Sequence, residues 1–122
     1  MAGNPRFGKR IRALREEKKM VDPSFSLRKF AEKVGVSATF ISKLENGEFD
    51  PPRAEKIIKM AELLGIDADE LLALAGKTDP ELDEIIRNEP KAMADLLRSA
   101  RDQGLTADDL DRITREIKKT KP

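Results

Sequence analysis

The stretch FAEKVGVSATFISKLENGE, Phe30 to Glu48, decides the fold. Its apolar residues follow a helical period, stop at Gly35, and resume with Ile41 and Leu44. Gly35 can adopt the left-handed backbone that ends a helix, and Ser37 is a good N-cap for the next one. The pattern therefore predicts two short helices that cross steeply about a tight turn, a helix-turn-helix.

The second of these helices, predicted over 38–46, has two unlike faces. If Ile41 and Leu44 point inward, the opposite face carries short, hydroxylated and cationic side chains. A strip of that chemistry suits a DNA major groove, where methyl groups contact thymine and a lysine donates to guanine O6 and N7. The strip consists of Ala38, Thr39, Ser42, Lys43 and Asn46.

Four pieces of sequence occur in a fixed order along the chain: IRALR at 11–15, FAEKVGVSATFISKLENG at 30–47, Pro51-Pro52, and AELLGI at 61–66. In that order and spacing, 7–74 resembles the Cro/cI (XRE) family of helix-turn-helix DNA-binding domains. The family pattern is IRxLR, then LAxxxGVSxxxISxxExG, then a proline and an amphipathic helix ending in LG. Because several spacings agree at once, the match is specific.

The resemblance implies an all-α fold, with a five-helix, lambda repressor-like DNA-binding domain over 1–76. The residues beyond it predict a C-terminal extension of about three helices over 77–122. Pro80 and Pro90 each open a helix, and Thr106 with Asp109 forms a capping box for a third. Three short amphipathic helices are too small for a core of their own, so they must pack on helix 5, on each other or on another subunit.

The resemblance also implies which residues contact DNA. Ala38, Thr39 and Lys43 fall where the family contacts base edges, and Ser42 lies beside them. The expected contacts to the DNA backbone are made by Arg28, Lys29, Asn46, Arg53 and Lys56.

The grounds for these backbone contacts differ. Relatives often carry Gln at the start of helix 2, and here Leu27 replaces it, so Arg28 or Lys29 would substitute. Asn46 either holds a phosphate or ends its helix. Arg53 matches a family position that contacts backbone or minor groove, and we expect it in the first turn of a helix 4 opened by Pro52.

Arg15 borders the inward stripe of helix 1, where an unpaired guanidinium would be strongly destabilising. In the family, this Arg pairs with the Glu two residues before the turn Gly. We therefore expect an ion pair between Arg15 and Glu45 that is structural and fixes how the recognition helix projects.

Two features depart from the family pattern. Several extra residues, KKMVDPS at 18–24, either reach phosphate through Lys18 and Lys19 or lengthen helix 1. Glu48 and Asp50 are acidic where relatives are often basic, which predicts weaker phosphate binding.

Charge is distributed unevenly between the two halves of the chain. Residues 1–66 contain 14 Lys+Arg and 9 Asp+Glu, a net +5, whereas 67–122 contain 10 and 14, a net −4. The basic half carries the motif, as contact with phosphate requires, although a chance fluctuation on solvated helix faces would look the same.

Composition argues against several classes of protein. The chain has no Cys and no His, so it lacks thiolates, the commonest metal ligand and the usual neutral-pH general base. We expect no enzyme, no cofactor and no metal. No apolar run approaches a membrane span and no hydrophobic signal core is present, so we expect a cytoplasmic protein with no membrane contact.

Two functions are consistent with these features. The first is a sequence-specific transcriptional regulator, a repressor that binds a palindromic operator as a homodimer with helix 38–46 in the major groove. A single recognition helix reads too few base pairs for selectivity in a genome, which favours a dimer. The second is an antitoxin or partner-regulated immunity protein whose C-terminal helices bind another protein.

Overall fold

The computed structural model describes residues 3–120, which form eight α-helices, a single 3-10 turn and no β-strand. The predicted all-α fold, five helices followed by three, is confirmed. Residues 1 and 122, the first and last residues of the two predicted domains, lie outside the described residues. The helices are α1 Pro5–Lys19, α2 Leu27–Val34, α3 Ala38–Glu45, α4 Ala54–Leu64, α5 Ala68–Leu74, α6 Pro80–Asn88, α7 Pro90–Asp102 and α8 Ala107–Thr120, with the 3-10 turn at Pro23–Phe25.

The chain divides into two compact units, one ending at Pro80 and one beginning at Glu81. The first unit contains α1 to α5 and the whole hydrophobic core of the described residues. Nine large side chains of that core are fully buried: Phe7, Ile11, Phe30, Ile41, Leu44, Ile57, Met60, Leu71 and Leu72.

Local capping sets the limits of the helix-turn-helix. The Ser26 hydroxyl accepts from the Lys29 N–H at 3.3 Å to open α2, and the Ser37 hydroxyl accepts from the Phe40 N–H at 3.0 Å to open α3. Gly35 ends α2 with φ of 90°, a backbone conformation that L side chains rarely adopt. These short-range bonds fix the angle at which α3 leaves α2.

Gly8 allows α1 to approach α3 closely. It is buried inside α1, and a Cβ at this position would overlap the backbone carbonyl oxygen of Leu44 in α3. A glycine in a helix interior is destabilising by itself, so its value here lies in the close approach of the two helices. The sequence reasoning did not identify this contact.

The extra residues after α1 form an ordered turn. α1 ends at Lys19, so only the first two residues of 18–24 belong to the helix, and the buried Phe25 then closes the core. The Asp22 carboxylate accepts from the Ser24 N–H at 2.9 Å and from its hydroxyl at 2.7 Å. These two bonds lower the pKa of Asp22, and the Lys33 ammonium lies 4.3 Å from the centre of the Phe25 ring.

The prediction that Pro52 opens helix 4 is wrong. α4 begins at Ala54, and Arg53 precedes it as the N-cap residue with an extended backbone, ψ of 157°. Helical hydrogen bonding starts at the Arg53 carbonyl, which accepts from the N–H groups of Lys56 at 3.0 Å and Ile57 at 3.2 Å. Because the Arg53 backbone is extended, Pro52 cannot be part of the helix.

The second unit, from Glu81 onward, has a different character. α6, α7 and α8 contain no buried residue within the described part of the chain. The capping box that opens α8 is present, because the Thr106 N–H donates to Asp109 at 2.9 Å and the Asp109 N–H donates to Thr106 at 3.2 Å. Among residues 3–120, no helix is both long and apolar enough to cross a membrane. The exposed large apolar side chains of this unit are Leu82, Ile85, Leu96, Leu97, Leu110, Ile113 and Ile117.

Candidate nucleic-acid interface

α3 is anchored on one side and open on the other. Ile41 and Leu44 are fully buried in the core. Thr39 is exposed, and the three other side chains expected to contact bases, Ala38, Ser42 and Lys43, are partly exposed. The short-chained polar strip therefore lies on the outer face of the helix.

Arg15 and Glu45 form the expected ion pair. Arg15 Nε lies 2.7 Å from Glu45 Oε2, and Nη2 lies 2.9 Å from Oε1, so the contact is bidentate. The two side chains are only 5% and 3% exposed. The hydrogen bonding that Arg15 donates to the Glu45 carboxylate raises the pKa of Arg15 above its ordinary value. This pair joins α1 to the last residue of α3.

A second bond fixes the Arg15 guanidinium in place. Its Nη1 donates to the Phe25 carbonyl at 3.1 Å, which ties the turn before α2 to the same side chain. One arginine therefore connects α1, the 3-10 turn and α3. Because it is bidentate on one side and bonded to backbone on the other, it holds α3 in a single orientation.

Asn46 ends α3. Its backbone N–H donates to the carbonyls of Leu44 and Ser42, and its side chain is exposed at the end of the polar strip. Asn46, Ser42 and Leu27 line one narrow cleft together with Arg12 of α1. Arg12 thus lies at the candidate DNA face, which sequence reasoning did not establish. The available signal was its place three residues before Arg15, which puts both on the same face of α1.

The backbone-contact candidates on α2 differ from those on α4. Arg28 and Lys29 are exposed in the first turn of α2. The Lys56 ammonium of α4 instead lies 3.4 Å from the carbonyl oxygens of Val34 and Gly35, at the end of α2. In the structure this ammonium is occupied by backbone carbonyls, a placement favoured by the helix dipole.

The remaining two cationic candidates are both paired with carboxylates. Arg53 Nε lies 3.2 Å from Glu55 Oε1, and both side chains are mostly exposed. Lys43 Nζ lies 3.4 Å from Glu48 Oε1. Exposed pairs of this kind are weak, so each cation can still reach a ligand, although the carboxylate beside it reduces its attraction to phosphate.

The comparison with protein families agrees with this geometry. A family model described as a helix-turn-helix domain matches residues 8–77, more than half of the chain. The chain belongs to this helix-turn-helix family. The resemblance to Cro/cI (XRE) regulators inferred from the sequence is confirmed. The matched segment contains most of α1, all of α2 to α5 and every residue of the candidate interface.

Two curated relatives come from Bacillus subtilis (strain 168). The HTH-type transcriptional repressor RghR is 41% identical over 70 residues, which cover 57% of this chain and 48% of RghR. RghRB, described as an uncharacterized HTH-type transcriptional regulator, is 33% identical over 79 residues, covering 65% of this chain and 53% of RghRB. The chain thus spans about half the length of the curated relatives it matches. Both are named as transcriptional regulators, a class that is not enzymatic.

Among solved structures, a chain of the SinR protein/SinI protein complex is similar, with a TM-score of 0.47 and 23% sequence identity. The similarity covers 94% of this chain and 99% of that one.

Proposed function

We propose that this protein is a sequence-specific transcriptional repressor that binds a palindromic operator as a homodimer, with α3 of each subunit in the major groove. The observation that carries the proposal is the outer strip of α3, held rigidly by a buried bidentate ion pair at its last residue. The relationship to RghR, a transcriptional repressor, supports the direction of regulation.

Each strip residue has a definite role in this proposal. The Ala38 and Thr39 methyl groups contact thymine methyl groups, the Thr39 and Ser42 hydroxyls hydrogen-bond to base edges, and Lys43 donates to guanine. Contacts to phosphate, which position the protein without reading sequence, come from Arg28, Lys29, Asn46, Arg53 and Lys56.

The domain assignment is part of the same proposal. Residues 1–76 form the DNA-binding domain, and 77–122 form the dimerisation or partner-binding region. α7 and α8 border an apolar groove lined by Leu97, Leu110 and Ile113, among others, and none of the described residues of that unit is buried.

A second copy of the chain is a suitable partner for this groove. Residues 81–122 contain 9 Lys+Arg and 10 Asp+Glu, a net charge of −1, so two copies meet little electrostatic repulsion. Each apolar side chain removed from water by the partner stabilises the dimer in proportion to its buried area. A two-fold dimer would then present two α3 helices to two half-sites.

DNA binding is tested with duplexes from the intergenic region beside the gene and from selection out of a randomised library. We expect the logarithm of the binding constant to fall linearly with the logarithm of salt concentration. Retention of no duplex at low salt would overturn the proposal.

Dimerisation is tested by sedimentation of Ile113→Glu against the control Ala107→Glu. Both variants add one glutamate to α8, but Ala107 is exposed and does not line the groove. We expect Ile113→Glu to be monomeric and to lose about tenfold or more in operator affinity, because its two DNA contacts are no longer linked. Ala107→Glu should remain dimeric.

Sedimentation and DNA retention together also distinguish the proposed repressor from the alternative function. If the native chain is monomeric at all concentrations and retains no DNA, then an antitoxin or partner-regulated immunity protein, whose C-terminal helices bind another protein, is the better description. The exposed apolar face of α6 to α8 would serve that partner instead.

A further inference from the structure

The loop that follows α3 returns to the recognition helix. Gly47 has φ of 79° and packs against Pro5, which reverses the chain directly after Asn46. The Glu48 N–H then donates to the Lys43 carbonyl at 2.9 Å. Glu48 is therefore attached through its backbone to the same residue that is expected to contact guanine.

The next two residues hold the loop from the other side. The Phe49 ring lies 5.7 Å, centre to centre, from the Phe40 ring of α3. The Asp50 carboxylate accepts from the Gly3 N–H at 2.7 Å. With a contact on each side of it, Glu48 has a defined position rather than the freedom of an open loop.

This position puts a carboxylate against the Lys43 ammonium. Glu48 Oε1 lies 3.4 Å from Lys43 Nζ, and the two side chains are 53% and 44% exposed, so both can reach a ligand. A lysine ammonium is a compact charge that is attracted to any phosphate as well as to guanine. A neighbouring carboxylate repels phosphate and the guanine acceptors, but it accepts a hydrogen bond from the cytosine amino group.

We propose that Glu48 determines DNA specificity by neutralising the attraction of Lys43 to phosphate while accepting a hydrogen bond from a cytosine amino group beside the base pair that Lys43 contacts. This inference rests on the proposed function, because it needs α3 in the major groove. Glu48 then lowers affinity for DNA in general and lowers it least for the correct site, where the bond from cytosine offsets the repulsion, so it combines selection against wrong sites with a contact to the right one.

The test compares Glu48→Gln with the native chain on two probes: a duplex selected from a randomised library, and random-sequence duplex. We expect Glu48→Gln to bind random duplex more tightly, because the carboxylate no longer repels phosphate. Its ratio of selected to random affinity should fall by about tenfold, because one good base contact is also lost. The salt dependence on random duplex should steepen by about one counterion, because Lys43 becomes available to phosphate.

Glu55→Gln is the matched control. It removes the same charge from a pair with Arg53, a proposed phosphate contact, at 3.2 Å. It should strengthen binding to both probes alike and leave their ratio unchanged. Glu48→Asp, which keeps the charge, should retain the weak binding of random duplex.

Three results would bear against these ideas in different ways. A Glu48→Gln ratio equal to that of the native chain, or equal to that of Glu55→Gln, would overturn the role of Glu48 and leave the proposed function intact. A native chain that does not distinguish selected from random duplex would overturn the proposed function itself. A change in thermal unfolding of Glu48→Gln would show that the residue acts on the fold, and would also overturn the inference.

Discussion

Replacing Glu45 by Ala should cause a large loss of stability in the first unit. The change removes both bonds to the Glu45 carboxylate and leaves the Arg15 guanidinium, which is 5% exposed, with the Phe25 carbonyl at 3.1 Å and the half-exposed Glu16 carboxylate at 3.5 Å. Removing one partner of a buried pair in this way costs about 3–5 kcal/mol. A domain of this size is stable by about 4–12 kcal/mol, so about a quarter or more of the total would be lost.

The expected change is readily measured by circular dichroism during urea and thermal unfolding. At about 4–8 °C per kcal/mol, a loss of about 3 kcal/mol lowers the Tm by about 12–24 °C. Because the pKa of Arg15 is raised in the folded state, the stabilisation by the pair is fully present at pH below the pKa of the unfolded chain. It is lost only as pH rises through the pKa of the folded state. Unfolding measured at neutral pH therefore reports the full contribution of the pair to stability.

Two further variants separate the buried pair from charge in general. Glu55→Ala breaks an exposed pair and should change stability by less than about 1 kcal/mol. Arg15→Met combined with Glu45→Leu replaces the pair by apolar side chains and should recover most of the loss. Below its unfolding transition, Glu45→Ala should prefer the same duplexes as the native chain. A Glu45→Ala variant as stable as the native chain would refute the structural role of the pair.

Three other substitutions test separate features. Gly8→Ala should destabilise the fold, because the new methyl group overlaps the Leu44 carbonyl. The resulting displacement of α1 costs about 1–3 kcal/mol, more than the gain of about 0.8–1 kcal/mol in helix propensity. A rise in the urea midpoint would contradict this. Asp22→Asn should weaken the dependence of unfolding free energy on pH in the acid range. The lowered pKa of Asp22 contributes stability at pH above the ordinary Asp pKa, and this contribution is lost as pH falls through the pKa of the folded state. An unchanged pH dependence would show that the bonds from Ser24 do not contribute to stability. Lys56→Met should lower stability by about 0.3–1 kcal/mol by removing a cation from the end of α2, whereas no change in urea unfolding would mean that the contact is not stabilising.

The helix limits around the turn were predictable because their signals are local. Ser26, Gly35 and Ser37 act on backbone groups within four residues of themselves, so their identity alone indicates where a helix begins or ends. The same holds for Thr106 and Asp109 at the start of α8. The buried pair of Arg15 and Glu45 came from the family resemblance, since no local pattern joins residues 30 positions apart.

Two features that sequence reasoning missed depend on contacts between elements, and a third depends on local backbone conformation. From the sequence, Gly8 is only an unfavourable residue in a helix interior; its role follows from the Leu44 carbonyl, which packs directly against it. Lys56 was expected from the sequence only as a contact to the DNA backbone, and its place at the end of α2 follows from the packing of α4. The start of α4 was misplaced because proline statistics favour Pro52 at a helix start, whereas the extended backbone of Arg53 delays the helix to Ala54.

Base reading by α3 is tested most directly by comparing Lys43→Ala with Arg53→Ala on selected and random duplexes over a salt series. We predict that Lys43→Ala loses about 1–3 kcal/mol of discrimination between the two duplexes. Arg53→Ala should instead weaken both alike and reduce the salt slope by about one. A Lys43→Ala variant that discriminates as well as the native chain, over a range of salt in which the native chain binds the selected duplex, would contradict the placement of α3 in the major groove.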